Sequence, residues 1–259
     1  MSMNDETIDS TNCSGDDVTG APPPISAPAA DEDFSIGFGK AYHALSDNCG
    51  LTTVVEALLK YPAALVYEIE QDRRWPVILA LVVAICGCMA TYGLVMGTFA
   101  GGVQYWAAPL KVVVGTFISA ILCLPSLYIF NSLSGGRMTL PQTTGLLALF
   151  VALIGLLEVG FAPIIWIFAQ STNGVVFMGF LHLTCWIVGW LFGVKLLLAA
   201  STLVNRRPVT LLRVWSVLFL VVTLQMSTAL RPLIAVPANG LLDGSKLFFM
   251  THWFSCMQR

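Results

Sequence analysis

The chain has 259 residues, 56% of them hydrophobic and only 11% charged, against about 25% charged in soluble globular proteins; this excludes a water-soluble domain and indicates an integral membrane protein. The formal net charge of −2 conceals a division: up to Asp72 there are two lysines against thirteen acids, and beyond it eleven bases against Glu158 and Asp243. An acidic aqueous stretch ahead of a basic-flanked membrane domain offers a lipid bilayer a partner surface and nucleic acid none.

The opening "MSMNDETIDSTNCSGDDVTG" carries acids where a signal peptide needs basic residues, and no apolar core follows, so no cleaved leader is expected. Residues 1–39 are rich in Asp, Ser, Thr, Gly and Pro and hold too little apolar surface to offset ordering entropy. They are expected to form a disordered, acidic, Pro-rich cytoplasmic tail. Its "APPPISAPAA" serves as a spacer or as a polyproline II ligand.

Residues 40–74 read as an amphipathic interfacial helical segment. Val54, Val55, Leu58, Leu59, Leu65, Val66 and Ile69 fall near helical spacing, and Thr53 with Glu56 reads as a capping box. Pro62 predicts two short helices or one kinked helix, because it lacks an N–H and crowds the preceding turn. Lys60, Glu68 and Glu70 mark the solvent side.

"DRRWPV" then announces the membrane with two headgroup arginines, an interfacial tryptophan and a proline suited to a first helical turn. Residues 75–231 are expected to form a five-helix transmembrane domain, with spans near 77–99, 112–130, 145–168, 175–198 and 211–230, each close to the roughly 20 residues that cross a bilayer. Residues 232–259 are too short in apolar length to cross and are expected to be an extracytoplasmic interfacial segment. With the N-terminus inside, Lys40, Lys60, Arg73, Arg74, Arg137, Arg206, Arg207 and Arg213 are cytoplasmic, against Lys111, Arg231, Lys246 and Arg259 outside. The positive-inside rule therefore favours a cytoplasmic N-terminus and a cell (inner) membrane protein whose C-terminus is extracytoplasmic.

Gly93, Gly97 and Gly101 repeat every four residues on the first span, and Gly189 and Gly193 on the fourth. Such spacing allows close helix contact, either inside the monomer or in a homo-oligomer. Pro125 and Pro163 are expected to kink the second and third spans.

No HExxH, P-loop, dinucleotide-binding glycine pattern, haem-attachment CxxCH or zinc-type cysteine spacing occurs, so no metal, no cofactor and no enzyme activity are expected. A Ser134–His182 pair fails on depth, since the two residues belong to opposite ends of the membrane domain and a nucleophile needs its base within hydrogen-bond reach. What remains is a set of intramembrane polar residues. Glu158 stands in "GLLEVGFAPIIW", and an acid in hydrocarbon needs compensation. The short connection between the third and fourth spans makes them antiparallel neighbours, bringing His182 to a similar depth. Gln225 and Arg231, on the fifth span, are further candidates.

Two roles fit Glu158. As a transport residue it forms a proton or cation relay with His182, lined by broken helices. As a scaffold residue it is neutral and locks helices together through hydrogen bonds, one of them involving the Val159 carbonyl that Pro163 leaves free. The scaffold role is preferred, because transporters usually spend more intramembrane polar residues.

The connection "LYIFNSLSGGRMTLPQTTGLLALFVALIGLLEVGFAPII" resembles the Yip1-type family of five-span membrane proteins in its paired glycine, basic residue, polar turn ending in Gln and proline-broken helix. Those positions are Gly135, Gly136, Arg137, Gln142 and Pro163. "LLKYPAALVYEIEQDRRW" is similar to the amphipathic stretch of bacterial, largely uncharacterised members, and the resemblance spans roughly residues 52–230. It implies a cytoplasmic N-terminus, five helices and an adaptor or membrane-organising role through protein partners not identified by the sequence. It brings no catalytic residues. The expectation is a non-enzymatic multi-pass adaptor or scaffold, with a small-solute or ion/proton transporter or channel component using Glu158 as the alternative.

Overall fold

The structure, a computed structural model, describes residues 50–71, 74–135, 138–172, 174–204 and 210–229. Among them are seven helices: α1 (Leu51–Lys60), α2 (Pro62–Glu70), α3 (Arg74–Ala100), α4 (Gln104–Leu133), α5 (Leu140–Ser171), α6 (Val175–Val204) and α7 (Thr210–Ala229). Helices α3 to α7 are each long and apolar enough to cross a membrane, so the protein is an all-α, multi-pass membrane protein. The expectations for residues 1–39 and 232–259, and for Gly136, Arg137 and Arg231, fall outside the described residues.

Pro62 opens α2, and Tyr61, at φ −141° and ψ 59°, separates it from α1. The apolar stripe Val54, Ala57, Leu58, Leu65, Val66 and Ile69 is buried in the main core, so the pair packs against the bundle. Two expectations fail here. The N-cap of α1 is Gly50, which makes no side-chain cap, and Thr53 is already helical. Glu68 is only 6% exposed and does not share the solvent side with Lys60 and Glu70. The physical reason lies in the spacing: Glu68 stands three residues after Leu65 on the buried face, and its charge, not its helical position, assigns it to the solvent side. On the open side, Lys60 Nζ donates to Glu56 Oε1 at 2.7 Å. That contact holds the Glu56 carboxyl below its ordinary range and the Lys60 ammonium above its own.

At the base of α5, Gln142 joins two elements. Its Oε1 accepts the Thr139 N–H at 2.8 Å, closing the first turn, and its Nε2 donates to the Glu70 carbonyl at 3.3 Å. Ile69 lies against Gly145, where a Cβ would come within 2.6 Å of the Ile69 Cγ2. The α1–α2 pair thus marks one end of the bundle, the near end. The Gly101–Val103 connection, and Thr172 and Gly174, mark the far end.

Helix α5 is the centre of the bundle, packed chiefly on α3 and α6. Every residue from Gly145 to Gly155 is buried, as expected for a helix apolar all round. Helix α7 docks mainly on α4 and touches α6 sparingly. Its anchor is Trp215, fully buried against Phe150 and Phe219.

The α3–α4 connection is much tighter than the sequence suggests. Gly101 (φ 69°) and Gly102 (φ 57°) both take left-handed backbone, which glycine adopts without a Cβ penalty. The turn closes at once and α4 begins at Gln104 rather than near Val112. Gly101 is therefore a turn residue beyond the helix, not the third member of a helical ladder. The other two glycines do bring helices together: a Cβ on Gly93 would lie 2.5 Å from the Pro109 Cα, and one on Gly97 would lie 2.7 Å from the Gln104 carbonyl oxygen. On α6, Gly189 faces Glu158 and Ile154, and Gly193 faces Phe150 and Ile154. All four serve contacts within the chain.

Helix α4 continues through Pro109 and Pro125, and α5 through Pro163, without interruption. Each proline removes one N–H from the ladder, and the helices stay continuous, unlike the discontinuous helices of the transport reading.

Candidate functional site

A cavity of about 200 Å³ lies in the far half of the bundle, where α7 and α6 face one another and α3, α4 and α5 complete the walls. Glu158, His182, Tyr92 and Lys111 all line it. At about 1.5 Å per residue, Glu158 is roughly 20 Å from the far end of α5, and His182 and Lys111 are each roughly 10 Å from the far ends of α6 and α4.

Glu158 is fully buried. Gly189 makes room for it, since a Cβ there would stand 3.2 Å from Glu158 Oε1. Neither carboxyl oxygen makes a hydrogen bond of full geometry, although the Tyr92 hydroxyl stands near enough to interact with the carboxyl. Buried polar groups are almost always satisfied, so a carboxyl met this sparsely on a cavity wall is the strongest chemical feature of the described residues.

His182, 5% exposed, is held by Tyr92: the tyrosine hydroxyl and His182 Nδ1 are 2.8 Å apart, and the rings meet edge to face at 5.6 Å. The same hydroxyl lies close enough to Glu158 to feel its charge. His182 Nε2 is buried and has no partner. Tyr92 is thus placed between the two residues that the sequence singles out, and brings them into one polar group without direct contact. A neutral imidazole carries one donor and one acceptor nitrogen. When Tyr92 donates to Nδ1, Nε2 therefore carries the proton and presents a donor.

Lys111 was expected in an external loop. It is instead helical and only 9% exposed, on the cavity side of α4, because the glycine turn starts α4 early and carries it about two turns inward. Gln225 is half-buried on α7, but the α7 residues at the cavity are Thr223, Leu224, Met226 and Ser227. Gly135, at φ 80°, and Gln142 belong to the near end, far from the cavity. Cys86, Cys88, Cys123 and Cys185 are free thiols. Among the described residues no cluster of His, Cys, Asp and Glu has metal-binding geometry.

Sequence reasoning missed Tyr92 and Lys111. Tyr92 did leave a signal: it continues the buried stripe Ile85, Met89, Tyr92, Met96, and a tyrosine hydroxyl on an apolar face needs a partner.

Fold and cavity together define a multi-pass membrane protein with five apolar helices among the described residues and a largely apolar cavity that a few polar side chains line. Comparisons with protein-family models, curated proteins and solved structures find no match.

Proposed function

We propose that the protein binds a small solute or ion in this cavity and acts as a transporter or channel component, with Glu158 as the principal coordinating group. The observation that carries this reading is the Glu158 carboxyl, buried on the wall of a 200 Å³ cavity with neither oxygen in a hydrogen bond of full geometry. A helix lock would hold those oxygens in well-formed hydrogen bonds to neighbouring helices, whereas the nearby Tyr92 hydroxyl is engaged with His182 at 2.8 Å. The test compares wild type, Glu158→Gln and Glu158→Leu for thermal stability in detergent and for proton and rubidium flux in liposomes. The expected result is a folded Gln variant, with a melting temperature near wild type, that has lost the wild-type flux. Flux in none of the three, with Leu destabilised and Gln normal, would overturn it.

A Yip1-type adaptor role is the second reading. Its support is the α1–α2 pair docked at the near end and tied through Gln142 to Glu70, directly after the acidic N-terminal stretch in the sequence. Orientation belongs to the proposal as well: the near end is taken as cytoplasmic on the basic-residue count. Single cysteines placed at Ser134 and Asn173 in an otherwise cysteine-free protein should react with an impermeant maleimide from inside and from outside, respectively. Labelling of position 134 from outside would reverse the assignment.

A further inference from the structure

We propose that the cavity takes a lipophilic primary amine in its ammonium form, which Glu158 binds in exchange for its own proton. The inference names the class of occupant for the solute site proposed above and rests on that reading.

The polar side chains of the wall are short of donors. Thr116, Thr223 and Ser227 line the cavity, and each spends its hydroxyl proton on its own helix, donating to the carbonyls of Val112, Phe219 and Leu224 at 2.7–2.8 Å. Toward an occupant these three offer lone pairs. Glu158 adds a carboxyl with neither oxygen in a hydrogen bond of full geometry. His182 Nε2, also unspent, donates or accepts according to its tautomer. Such a wall suits a head group that brings several protons, and a primary ammonium brings three.

The rest of the cavity suits an apolar body. Met89 and Met96 belong to the lining, and thioethers adapt to irregular shapes. Its half-buried members, Leu183 and Trp186 on α6 with Leu224 and Met226 on α7, lie between two helices that touch sparingly. All four fall within membrane-crossing stretches, so a tail at this seam is shared with hydrocarbon. The volume of about 200 Å³ exceeds the roughly 150 Å³ that accepts benzene, which fits an aryl or short alkyl group carrying one aminomethyl.

Charge favours exchange over simple addition of a cation. A carboxylate in a low-dielectric interior with no matching cation takes up a proton. Binding then converts the Glu158 carboxylic acid and R–NH3+ into a carboxylate–ammonium pair and releases one proton to water. Lys111 lines the same cavity and already has an interaction of its own within the protein. Because the ammonium replaces a proton, the total charge beside that lysine does not change. The other titratable groups around Glu158 are Tyr92 from α3 and His182 and Cys185 from α6, while the α7 residues of the lining supply none.

The test follows the melting temperature of the full-length protein in detergent with benzylamine, 2-phenylethylamine and hexylamine. Three relatives of these amines separate the chemistry: benzyl alcohol is uncharged, phenylacetate is an anion, and benzyltrimethylammonium is a cation without N–H donors. At about a hundredfold excess over Kd a bound ligand raises the midpoint by about 5 °C or more. At least one primary amine should do so, and each relative should give only a small fraction of the best amine's shift. Equal protection by any of the three, or silence across the panel, overturns the proposal without any variant having to fold. Exchange has its own readouts in the wild type. About one proton should be released per amine bound, and affinity should rise about tenfold per pH unit between about pH 6 and 8, where the amine stays charged. The infrared band of a protonated carboxyl should disappear on binding. Binding with no proton released, or with that band unchanged, overturns the exchange; a folded Glu158→Gln variant that keeps the amine shift would place the ammonium elsewhere and overturn the assignment. Liposome measurements separate the two readings. Amine binding without amine uptake sinks transport alone, whereas rubidium or proton flux without amine binding sinks this inference alone.

Discussion

Trp215→Ala should destabilise the membrane domain by about 3 kcal/mol, the lower end of the range for removing a buried large aromatic, measured as the midpoint of unfolding in SDS. Trp215 is fully buried. Its ring meets Phe150 at 5.9 Å and Phe219 at 5.6 Å, and its Nε1–H donates to Ser126 Oγ at 3.0 Å and to the Cys123 carbonyl at 3.3 Å. The lower end applies because lipid is as apolar as the core, leaving packing and hydrogen bonding as the main terms. Trp215→Phe should restore most of the packing and leave a deficit of about 1 kcal/mol for the lost donor. An unchanged midpoint in the Ala variant would mean that α7 is not anchored on α4 through this side chain.

Gly93→Val should be about as damaging, near 3 kcal/mol, at the top of the usual range for overpacking. The obstacle is backbone: a Cβ at Gly93 would lie 2.5 Å from the Pro109 Cα and 3.2 Å from the Ala108 carbonyl oxygen, and no rotamer change relieves that. Gly160→Ala is the matching control, since a Cβ there meets nothing within 4 Å. It should be neutral, or stabilising by up to about 1 kcal/mol through helix propensity. Equal loss from both variants would show that glycine content, not the α3–α4 crossing, sets stability.

The five spans were legible because twenty-residue apolar runs have few other meanings. Their ends were not. Lys111 argues against a membrane span by its charge and Pro109 against a helix interior by its missing N–H, yet α4 includes both, starting directly after the Gly101–Gly102 turn and fitting Pro109 against Gly93. At Pro125 and Pro163 the helices continue through the proline, so a proline within an apolar run does not mark the end of a span.

Glu158 and His182 were legible as a pair by depth. What joins them, Tyr92, was hidden among apolar neighbours because helical periodicity reports burial and not the partner a hydroxyl will find. Glu68 was hidden for the opposite reason: its spacing from Leu65 puts it on the buried face, but a charge reads as solvent-facing unless periodicity is allowed to overrule it.

The three-residue Gly101–Val103 connection also constrains how the chain enters the bilayer. With so little slack, α3 and α4 are obliged to integrate as one helical hairpin, and the second leg cannot linger in water while the first settles. Lys111, a residue type that costs about 2.5–3.5 kcal/mol at the centre of a spanning helix and less toward its end, therefore enters already leaning on a strongly apolar partner. A lysine that would weaken an autonomous span is carried in by its neighbour, so the two glycines that shape the turn also set the unit of biogenesis.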